Sequence, residues 1–207
     1  DFENTKTFEF NLENLLLDQP VNFKIYAAAT SEIPTNMSVT VNNSEIANLY
    51  FGSIGEPILA TGSSFQSNIN SQSENIDVVL NYNNSGNPSS SAYLDYISLK
   101  GSSALSFNGS QLIFYNDDLE TEAEVVTYQI SNSENINSIW NITDISNISE
   151  ININSFSGFN ASFNPKNKFI AFNNDNLLEP IIEDQFEVEN QNLKENIFLN
   201  ESGLIEL

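Results

Sequence analysis

Three residue types on which much enzyme chemistry depends are missing from this chain of 207 residues: cysteine, histidine and arginine. Without cysteine the chain can form no disulfide, thiolate nucleophile or thiolate-bound metal site. Without histidine it lacks the commonest general base and transition-metal ligand, and without arginine it lacks the bidentate clamp for carboxylate or phosphate. The sequence therefore predicts that this chain is not itself an enzyme. It supplies no candidate catalytic, cofactor-binding or metal-binding residue.

Positive charge is also scarce. Six basic residues, all of them lysine, stand against 28 acidic residues, which gives a formal net charge of −22 at pH 7. Such a surface repels phosphate backbones and anionic lipid headgroups, so neither nucleic acid binding nor direct membrane insertion is expected. No apolar run reaches the roughly 18 residues of a membrane-spanning helix. An acidic, cysteine-free chain rich in Asn and Ser suits a secreted or cell-surface bacterial protein.

The apolar residues are sufficient for a core, and most follow the period of two that strands require. They make up 40% of the chain and alternate with polar residues in short segments separated by Asn, Ser and Gly. This pattern predicts an all-β fold, a jelly-roll-like β-sandwich followed by a second, smaller β-unit. The predicted strands are residues 7–10, 22–27, 38–41, 45–50, 57–60, 76–82, 93–99, 111–115, 125–130, 138–142, 150–153, 159–163 and 168–172.

Composition shifts along the chain predict three segments. Residues 1–103 form the jelly-roll-like sandwich, and residues 104–180, with shorter strands and longer loops, form the second β-unit. Residues 181–207 lose the alternation but keep many apolar side chains, so they are expected to connect to a downstream domain. The alternative is that they add a final strand to the sandwich. The chain opens at Asp1-Phe2-Glu3 without a leader pattern, which suggests a piece of a larger protein.

Two connecting segments carry specific signals. Asn42 and Asn43 lie between two predicted strands, and because Asn tolerates a positive φ, they predict a tight hairpin turn. Residues 12–17 contain four leucines and fit either one helical turn or a loop that packs on the edge of the sandwich.

Two oxygen-rich loops are candidates for calcium. One carries five acidic residues, and the other is the Asn-rich stretch 81–88. Neither has the spacing of a known calcium loop, so a solvated hairpin and ordinary turn chemistry are the favoured interpretations, and no metal or other cofactor is expected. The five acidic residues are Asp117, Asp118, Glu120, Glu122 and Glu124.

The most specific local string is Tyr-Leu-Asp-Tyr-Ile at residues 93–97. Regular alternation would place Tyr93 on one face of the strand and Leu94 and Tyr96 on the other. The string fits either a hydrogen-bonded edge of the sandwich, which is favoured, or a face that contacts carbohydrate, with Tyr82, Tyr93 and Tyr96 as the candidate exposed aromatics. The single tryptophan, Trp140, is expected to be largely buried as an anchor of the second β-unit.

Five strings in order resemble the region of PorU-type sortases that precedes their gingipain-like cysteine peptidase domain. The chain departs from the family pattern at Asn141, where Asp is usual, and at Lys194, where His is usual. The family's catalytic Cys and His have no counterpart here, so no catalytic residue is carried over. The strings are Tyr93-Leu94-Asp95-Tyr96-Ile97, Gln111-Leu112-Ile113-Phe114-Tyr115, Ile139-Trp140-Asn141-Ile142-Thr143, Phe169-Ile170-Ala171-Phe172 with Pro180, and Asn190-Gln191-Asn192-Leu193.

The resemblance implies a place for the chain. PorU-type sortases belong to the bacterial type IX secretion system and act at the outer-membrane surface of Bacteroidetes-type bacteria, where they remove the sorting domain from exported cargo. The implied role is a non-catalytic accessory or orienting β-domain, located on the extracellular face of the outer membrane. The implied partners are the downstream peptidase domain of the same protein, the outer-membrane barrel PorV and exported cargo. The alternative is a free-standing carbohydrate-binding or adhesin module of a bacterial surface protein.

Overall fold

The structure, a computed structural model, describes residues 4–115, 125–152, 157–162, 164, 166–177, 198–199 and 205–206. Within these ranges the chain is all-β, with two 3₁₀ turns at Ser133–Asn135 and Asn174–Asn176 and no α-helix. No helix in this described part is long and apolar enough to cross a membrane. The predicted fold class is confirmed.

Seven strands form a sandwich of two antiparallel sheets. One sheet has the order β1-β6-β3-β4 and the other the order β5-β2-β7. Five of the six connections pass from one sheet to the other, and only β3 and β4 form a hairpin within a sheet, which makes the wrapping jelly-roll-like. The strands are β1 Thr5–Asn11, β2 Val21–Thr30, β3 Thr35–Val41, β4 Ser44–Phe51, β5 Thr61–Ile69, β6 Asn75–Asn83 and β7 Ser91–Lys100.

Alternation in the sequence explains which strands line the sandwich core. In β2 every second side chain points inward, and Val21, Phe23, Ile25, Ala27 and Ala29 are at most 1% exposed. The residues between them face solvent or lie half-buried. Because successive side chains of a strand point to opposite faces, one apolar set builds the core and one polar set covers the outside. Strands β3 and β6 repeat the pattern, which confirms the prediction for these segments.

The hairpin between β3 and β4 turns at the two asparagines. Asn42 has φ 45° and Asn43 has φ 67°, the left-handed values that a tight two-residue hairpin requires. The Asn42 side-chain oxygen also accepts a hydrogen bond of 2.9 Å from the backbone N–H of Asp77 in β6. The predicted turn is confirmed, and its first residue also ties the hairpin to the neighbouring strand.

The strand predicted at residues 57–60 is wrong, and the strand that follows it, β5, was not predicted. Residues 57–60 form a loop with a short turn, in which the Ile58 N–H bonds to the Gly55 carbonyl at 2.7 Å, and Leu59 is 79% exposed. The strand β5 begins directly after this loop. It contains Gly62 and several Ser residues and therefore has low intrinsic β-propensity. It is a strand because its backbone pairs with β2 from Ile69 to Thr61.

Residues 12–17 adopt the loop alternative. Leu15 is 7% exposed and joins the sandwich core, and it forms an isolated bridge with Ser103. The Leu16 N–H donates to the Ser102 carbonyl at 2.8 Å. This loop therefore holds the segment that follows β7 against the edge of the sandwich.

Six strands between residues 111 and 172 surround a second apolar cluster, which shares no residue with the core of the sandwich. They form one sheet of order β11-β10-β13-β8 and a two-stranded sheet of β12 and β9. The strands are β8 Gln111–Tyr115, β9 Val125–Gln129, β10 Ser138–Asn141, β11 Ser149–Glu150, β12 Gly158–Ser162 and β13 Lys168–Phe172.

Four aromatic rings fill this second cluster. Phe114, Tyr128, Phe159 and Phe169 come from β8, β9, β12 and β13, and all six ring pairs have centroids 5.2–6.2 Å apart. Such tilted, stacked and edge-on pairs add to the stability that burial alone supplies. The cluster joins the two small sheets without a disulfide, which this chain cannot make.

The expectation that Trp140 is largely buried is wrong. It is 38% exposed, whereas its neighbour Ile139 is 0% exposed. Strand alternation allows only one of the two to face inward, and Ile139 takes that position beside the aromatic cluster. Trp140 lies on the outer face of its sheet, with its ring edge-on to Phe172 at 4.8 Å.

The chain divides into two compact units, Asp1–Asn174 and Asp175–Leu207. In the second unit, β14 Phe198–Leu199 pairs antiparallel with β15 Ile205–Glu206. The predicted boundaries at residues 103 and 180 stay predictions. Most of the predicted connector, residues 181–207, lies outside the described residues.

Candidate functional site

The outer face of the three-stranded sheet of the sandwich gathers exposed tyrosines and polar side chains. Strand β2 lies in the centre, and four of its outward residues each pair with one residue of β5 and one of β7. We call this surface the tyrosine face. Its four cross-strand rows are Asn68–Asn22–Lys100, Gln66–Lys24–Ser98, Ser64–Tyr26–Tyr96 and Gly62–Ala28–Tyr93.

A β-bulge brings the two tyrosines of β7 to the same face. Tyr96 pairs with Tyr26, but the next residue of β2, Ala27, pairs with Leu94, so Asp95 is an extra residue without a cross-strand partner. A bulge of this kind reverses the alternation beyond it. Tyr93 and Tyr96 are therefore both exposed, although regular alternation predicts that they lie on opposite faces. The sequence carries no clear signal for the extra residue.

Two of the three tyrosine rings, those of Tyr26 and Tyr96, form a nearly parallel pair, which we call the platform. The ring centroids of Tyr26 and Tyr96 are 6.5 Å apart, and their planes differ by 17°. Tyr26 is 38% exposed, Tyr96 47% and Tyr93 60%. The Tyr26 phenol lies over Gly62 of β5, where a Cβ atom would collide with its hydroxyl. Gly62 is therefore the residue that leaves room for this ring on the sheet.

Amide side chains border the platform, and hydrogen bonds hold them in place. The Asn22 amide nitrogen donates to the Asn68 side-chain oxygen at 3.0 Å. The Gln66 amide nitrogen donates to the Asn22 oxygen at 3.5 Å. Because each amide has two donor hydrogens and one acceptor oxygen, Asn68 and Gln66 keep capacity for hydrogen bonds to a ligand.

The three strands of this face carry little of the negative charge of the protein. The chain has 28 acidic and six basic residues, yet the three strands of this sheet contain Lys24, Lys100 and the bulged Asp95 as their charged residues. Lys24 makes no ion pair with any residue in the described part of the chain. Lys24 therefore places a positive charge on this face, which favours a ligand with negative charge.

The remaining candidate aromatic, Tyr82, does not belong to this face. It is 7% exposed in the sandwich core, and its hydroxyl donates to the Thr35 hydroxyl at 3.0 Å. Its ring lies edge-on to Phe51 at a centroid distance of 6.4 Å. Tyr82 is thus a structural residue, and Tyr26, which sequence reasoning had not singled out, takes its place among the exposed aromatics.

Only one of the two candidate calcium loops lies within the described residues. Residues 117–124, with the five acidic side chains, lie outside the described residues. In the Asn-rich loop, Asn83, Asn84 and Asn87 each accept a bond of 3.0 Å from a backbone N–H two residues ahead. These are turn contacts. Among the described residues no three Asp or Glu side chains group together as a metal site would require.

Comparison with known proteins shows similarity of fold. No family model and no curated protein matches this chain. The crystal structure of dimeric latent PorU from Porphyromonas gingivalis matches with a TM-score of 0.62 and 17% sequence identity over 81% of this chain. The chain spans 17% of the length of that PorU chain.

Two carbohydrate-binding modules match more weakly. A CBM36 module in complex with calcium and xylotriose has a TM-score of 0.33 and 14% identity, and covers 46% of this chain and 72% of its own. The CBM36-1 domain of a multidomain xylanase from the hindgut metagenome of Trinervitermes trinervoides has a TM-score of 0.34 and 12% identity, over 47% and 71% of the two chains. TM-scores this low do not transfer a binding site.

Proposed function

We propose that this chain is a non-catalytic accessory or orienting β-domain of a PorU-type sortase of the type IX secretion system. The observation that carries the proposal is the extent of the fold similarity to PorU. It covers 81% of 207 residues, which is about 168 residues, whereas the seven-stranded sandwich ends at Lys100. The match therefore includes strands of both apolar clusters. A shared order of two β-units is more specific than a single sandwich, because unrelated proteins often share one sandwich.

The resembling strings support the same proposal. Three of them coincide with β8, β10 and β13, which are adjacent strands of one sheet. Their inward side chains include Phe114, Ile139 and Phe169 of the second core. Residues that build one common core are expected to recur together in proteins of one fold, so these strings are evidence for a shared β-unit rather than for a shared active site.

An exposed apolar row on this sheet is our candidate contact with the rest of the protein. Ile113, Ile170 and Trp140 lie side by side across three strands on the outer face. Ile113 is 46% exposed and Trp140 is 38% exposed. Contiguous exposed apolar side chains mark interaction surfaces. The candidate partners are the downstream peptidase domain, the barrel PorV and exported cargo, on the extracellular face of the outer membrane.

Association with a separately produced peptidase domain tests the proposal. We expect the gene to encode a gingipain-like domain downstream, and that domain to bind this chain in isothermal titration calorimetry. Ile113→Lys should weaken the binding. Tyr50→Lys is the matched control, because Tyr50 is 72% exposed and lies on the four-stranded sheet of the sandwich, away from the apolar row. This chain alone should hydrolyse no peptide. A stop codon or a repeated adhesin module downstream would contradict the proposal.

The second candidate function is a free-standing carbohydrate-binding or adhesin module. The tyrosine face is the observation that favours it, because exposed aromatic platforms bordered by amides are typical of sugar-contacting surfaces. The two candidates require different coding sequences downstream of this chain in the gene, whereas the tyrosine face can operate in either protein.

A further inference from the structure

We propose that the tyrosine face binds an acidic oligosaccharide. This goes beyond the proposed function, because it assigns a ligand and a binding surface that a domain acting only to orient a peptidase does not need. The site consists of the stacked pair Tyr26 and Tyr96, the neighbouring Tyr93, the amides of Asn68 and Gln66, and Lys24.

The rings match the apolar part of a sugar. A pyranose ring presents one or both faces as C–H groups, which pack against a flat aromatic ring, while its hydroxyls point outward to hydrogen-bond partners. Tyr26 and Tyr96 are nearly parallel and partly exposed, so a ligand can reach their outer surfaces. Tyr93 pairs with Ala28, two residues along β2 from Tyr26, which places it about 7 Å further along the sheet. Neighbouring sugars of one chain can therefore contact both positions.

The polar residues of the tyrosine face match the hydroxyl groups and the negative charge of an acidic sugar. From Ala28 to Asn22 the outward residues of β2 extend over about 20 Å, which accommodates several sugars in a row. Asn68 and Gln66 offer amide groups held by the ladder through Asn22. Lys24 lies between Gln66 and Ser98 in its row, and its ammonium group favours a carboxylate-bearing sugar over a neutral one. The acidic remainder of the protein would repel the same ligand elsewhere.

A protein partner is the other class of ligand that an exposed tyrosine surface can take. The outward residues here are mostly small or amide side chains, such as Ser64, Ser98 and Asn68, and they include no large aliphatic side chain. Interface centres between proteins are usually more apolar than this. The composition therefore favours a sugar.

Titration with defined oligosaccharides tests the proposal. The probes are hexasaccharides of galacturonate, alginate and hyaluronan as acidic ligands, and cellohexaose and xylohexaose as neutral ones. We expect calorimetric binding of at least one acidic probe, weaker binding of the neutral probes, and a loss of affinity when the salt concentration rises. Tyr96→Ala should reduce the affinity at least about tenfold, as for an aromatic residue at the centre of a binding site, whereas Tyr96→Phe should retain most of it.

Two further variants distinguish a specific binding site from nonspecific binding. Gly62→Ala should displace the Tyr26 ring and reduce binding while the fold is kept, since only the end of a flexible side chain must move. Lys24→Gln should remove the preference for acidic over neutral probes. Tyr50→Ala, which removes an exposed tyrosine from the other sheet, is the matched control and should bind like the unmodified protein. Far-UV circular dichroism verifies the fold of each variant.

The proposal is wrong if none of the acidic probes binds, or if binding persists unchanged in both Tyr96→Ala and Gly62→Ala. It is also wrong if Tyr96→Ala abolishes binding of the peptidase domain while Ile113→Lys does not, because the tyrosine face would then be a protein interface. Sugar binding without association of the peptidase domain would support this inference and contradict the proposed function, so the two can fail separately.

Discussion

Replacing Ile139 and, separately, its neighbour Trp140 tests which face of β10 lies against the second core. Ile139 is 0% exposed and packs beside the aromatic cluster, whereas Trp140 is 38% exposed and contacts Phe172 on the outer face. Size alone would predict that removal of the tryptophan costs more stability. Burial predicts the reverse order.

The magnitudes follow from the contacts that each side chain loses. Ile139→Ala removes three buried carbons and leaves a cavity between two sheets, for which about 2–5 kcal/mol is the usual cost. Trp140→Ala removes one edge-on ring pair, worth about 0.5–1.5 kcal/mol, and partly buried ring surface worth about 1.5–2 kcal/mol. Water fills the space at this exposed position, so no cavity cost is added and we expect about 2–3 kcal/mol in total. The difference between the two variants should therefore be about 1–2 kcal/mol, because only Ile139→Ala leaves a cavity.

Urea unfolding followed by far-UV circular dichroism measures both costs. Ile139→Val, which keeps most of the buried volume, is the control and should cost about 0.5–1.5 kcal/mol. Because Trp140 is the sole tryptophan, native fluorescence also reports its exposure, and an emission maximum between those of buried and free tryptophan is expected. A larger loss of stability in Trp140→Ala than in Ile139→Ala would refute the assignment of the two faces.

Three smaller perturbations probe other parts of the fold. Tyr82→Phe removes a buried hydroxyl that donates to Thr35 at 3.0 Å, so urea unfolding should show a loss of about 1–2 kcal/mol, and no loss would contradict a role for that bond. At the hairpin turn Asn43 has φ 67°, so Asn43→Val should lower the free energy of unfolding by about 1–2 kcal/mol and Asn43→Gly should leave it almost unchanged. Equal melting temperatures of the two variants would argue against the turn. Burial raises the pKa of Tyr128 above its ordinary value of 10.0. The folded state therefore keeps this proton at a pH where the unfolded state has lost it, and this part of the stability is constant below pH 10 and falls as the pH rises further. Tyr128→Phe should make the alkaline loss of stability less steep, and an unchanged slope would show that other groups cause it.

Much of the fold could be predicted because it depends on local patterns. Alternation of apolar and polar residues identified β2, β6 and β13, and the two asparagines at 42 and 43 identified the hairpin turn. The absence of cysteine, histidine and arginine bounded the chemistry through composition alone. These inferences need no knowledge of which strands are neighbours.

The candidate site could be predicted only in part. The favoured interpretation of residues 93–97 was an edge of the sandwich, and β7 is an edge strand of its sheet. Tyr93 and Tyr96 are also exposed, as the carbohydrate alternative required. Their common face could not be predicted, since it depends on the extra residue Asp95 opposite the step from Tyr26 to Ala27. A bulge is a property of two paired strands, and one strand's sequence does not show it.

Tertiary structure alone decided three further features. Strand β5 has little β-propensity and is extended because β2 pairs with its whole length. Trp140 faces outward because its neighbour Ile139 fills the inward position in a core already supplied with four aromatic rings. The tyrosine face exists because Gly62, distant in sequence, leaves room for the Tyr26 ring. The sequence by itself thus determined the class of fold, and its lack of Cys, His and Arg excluded the chemistry that needs those side chains. Cross-strand pairing decided which side chains meet, because strand neighbours far apart in sequence select the register and the exposed face.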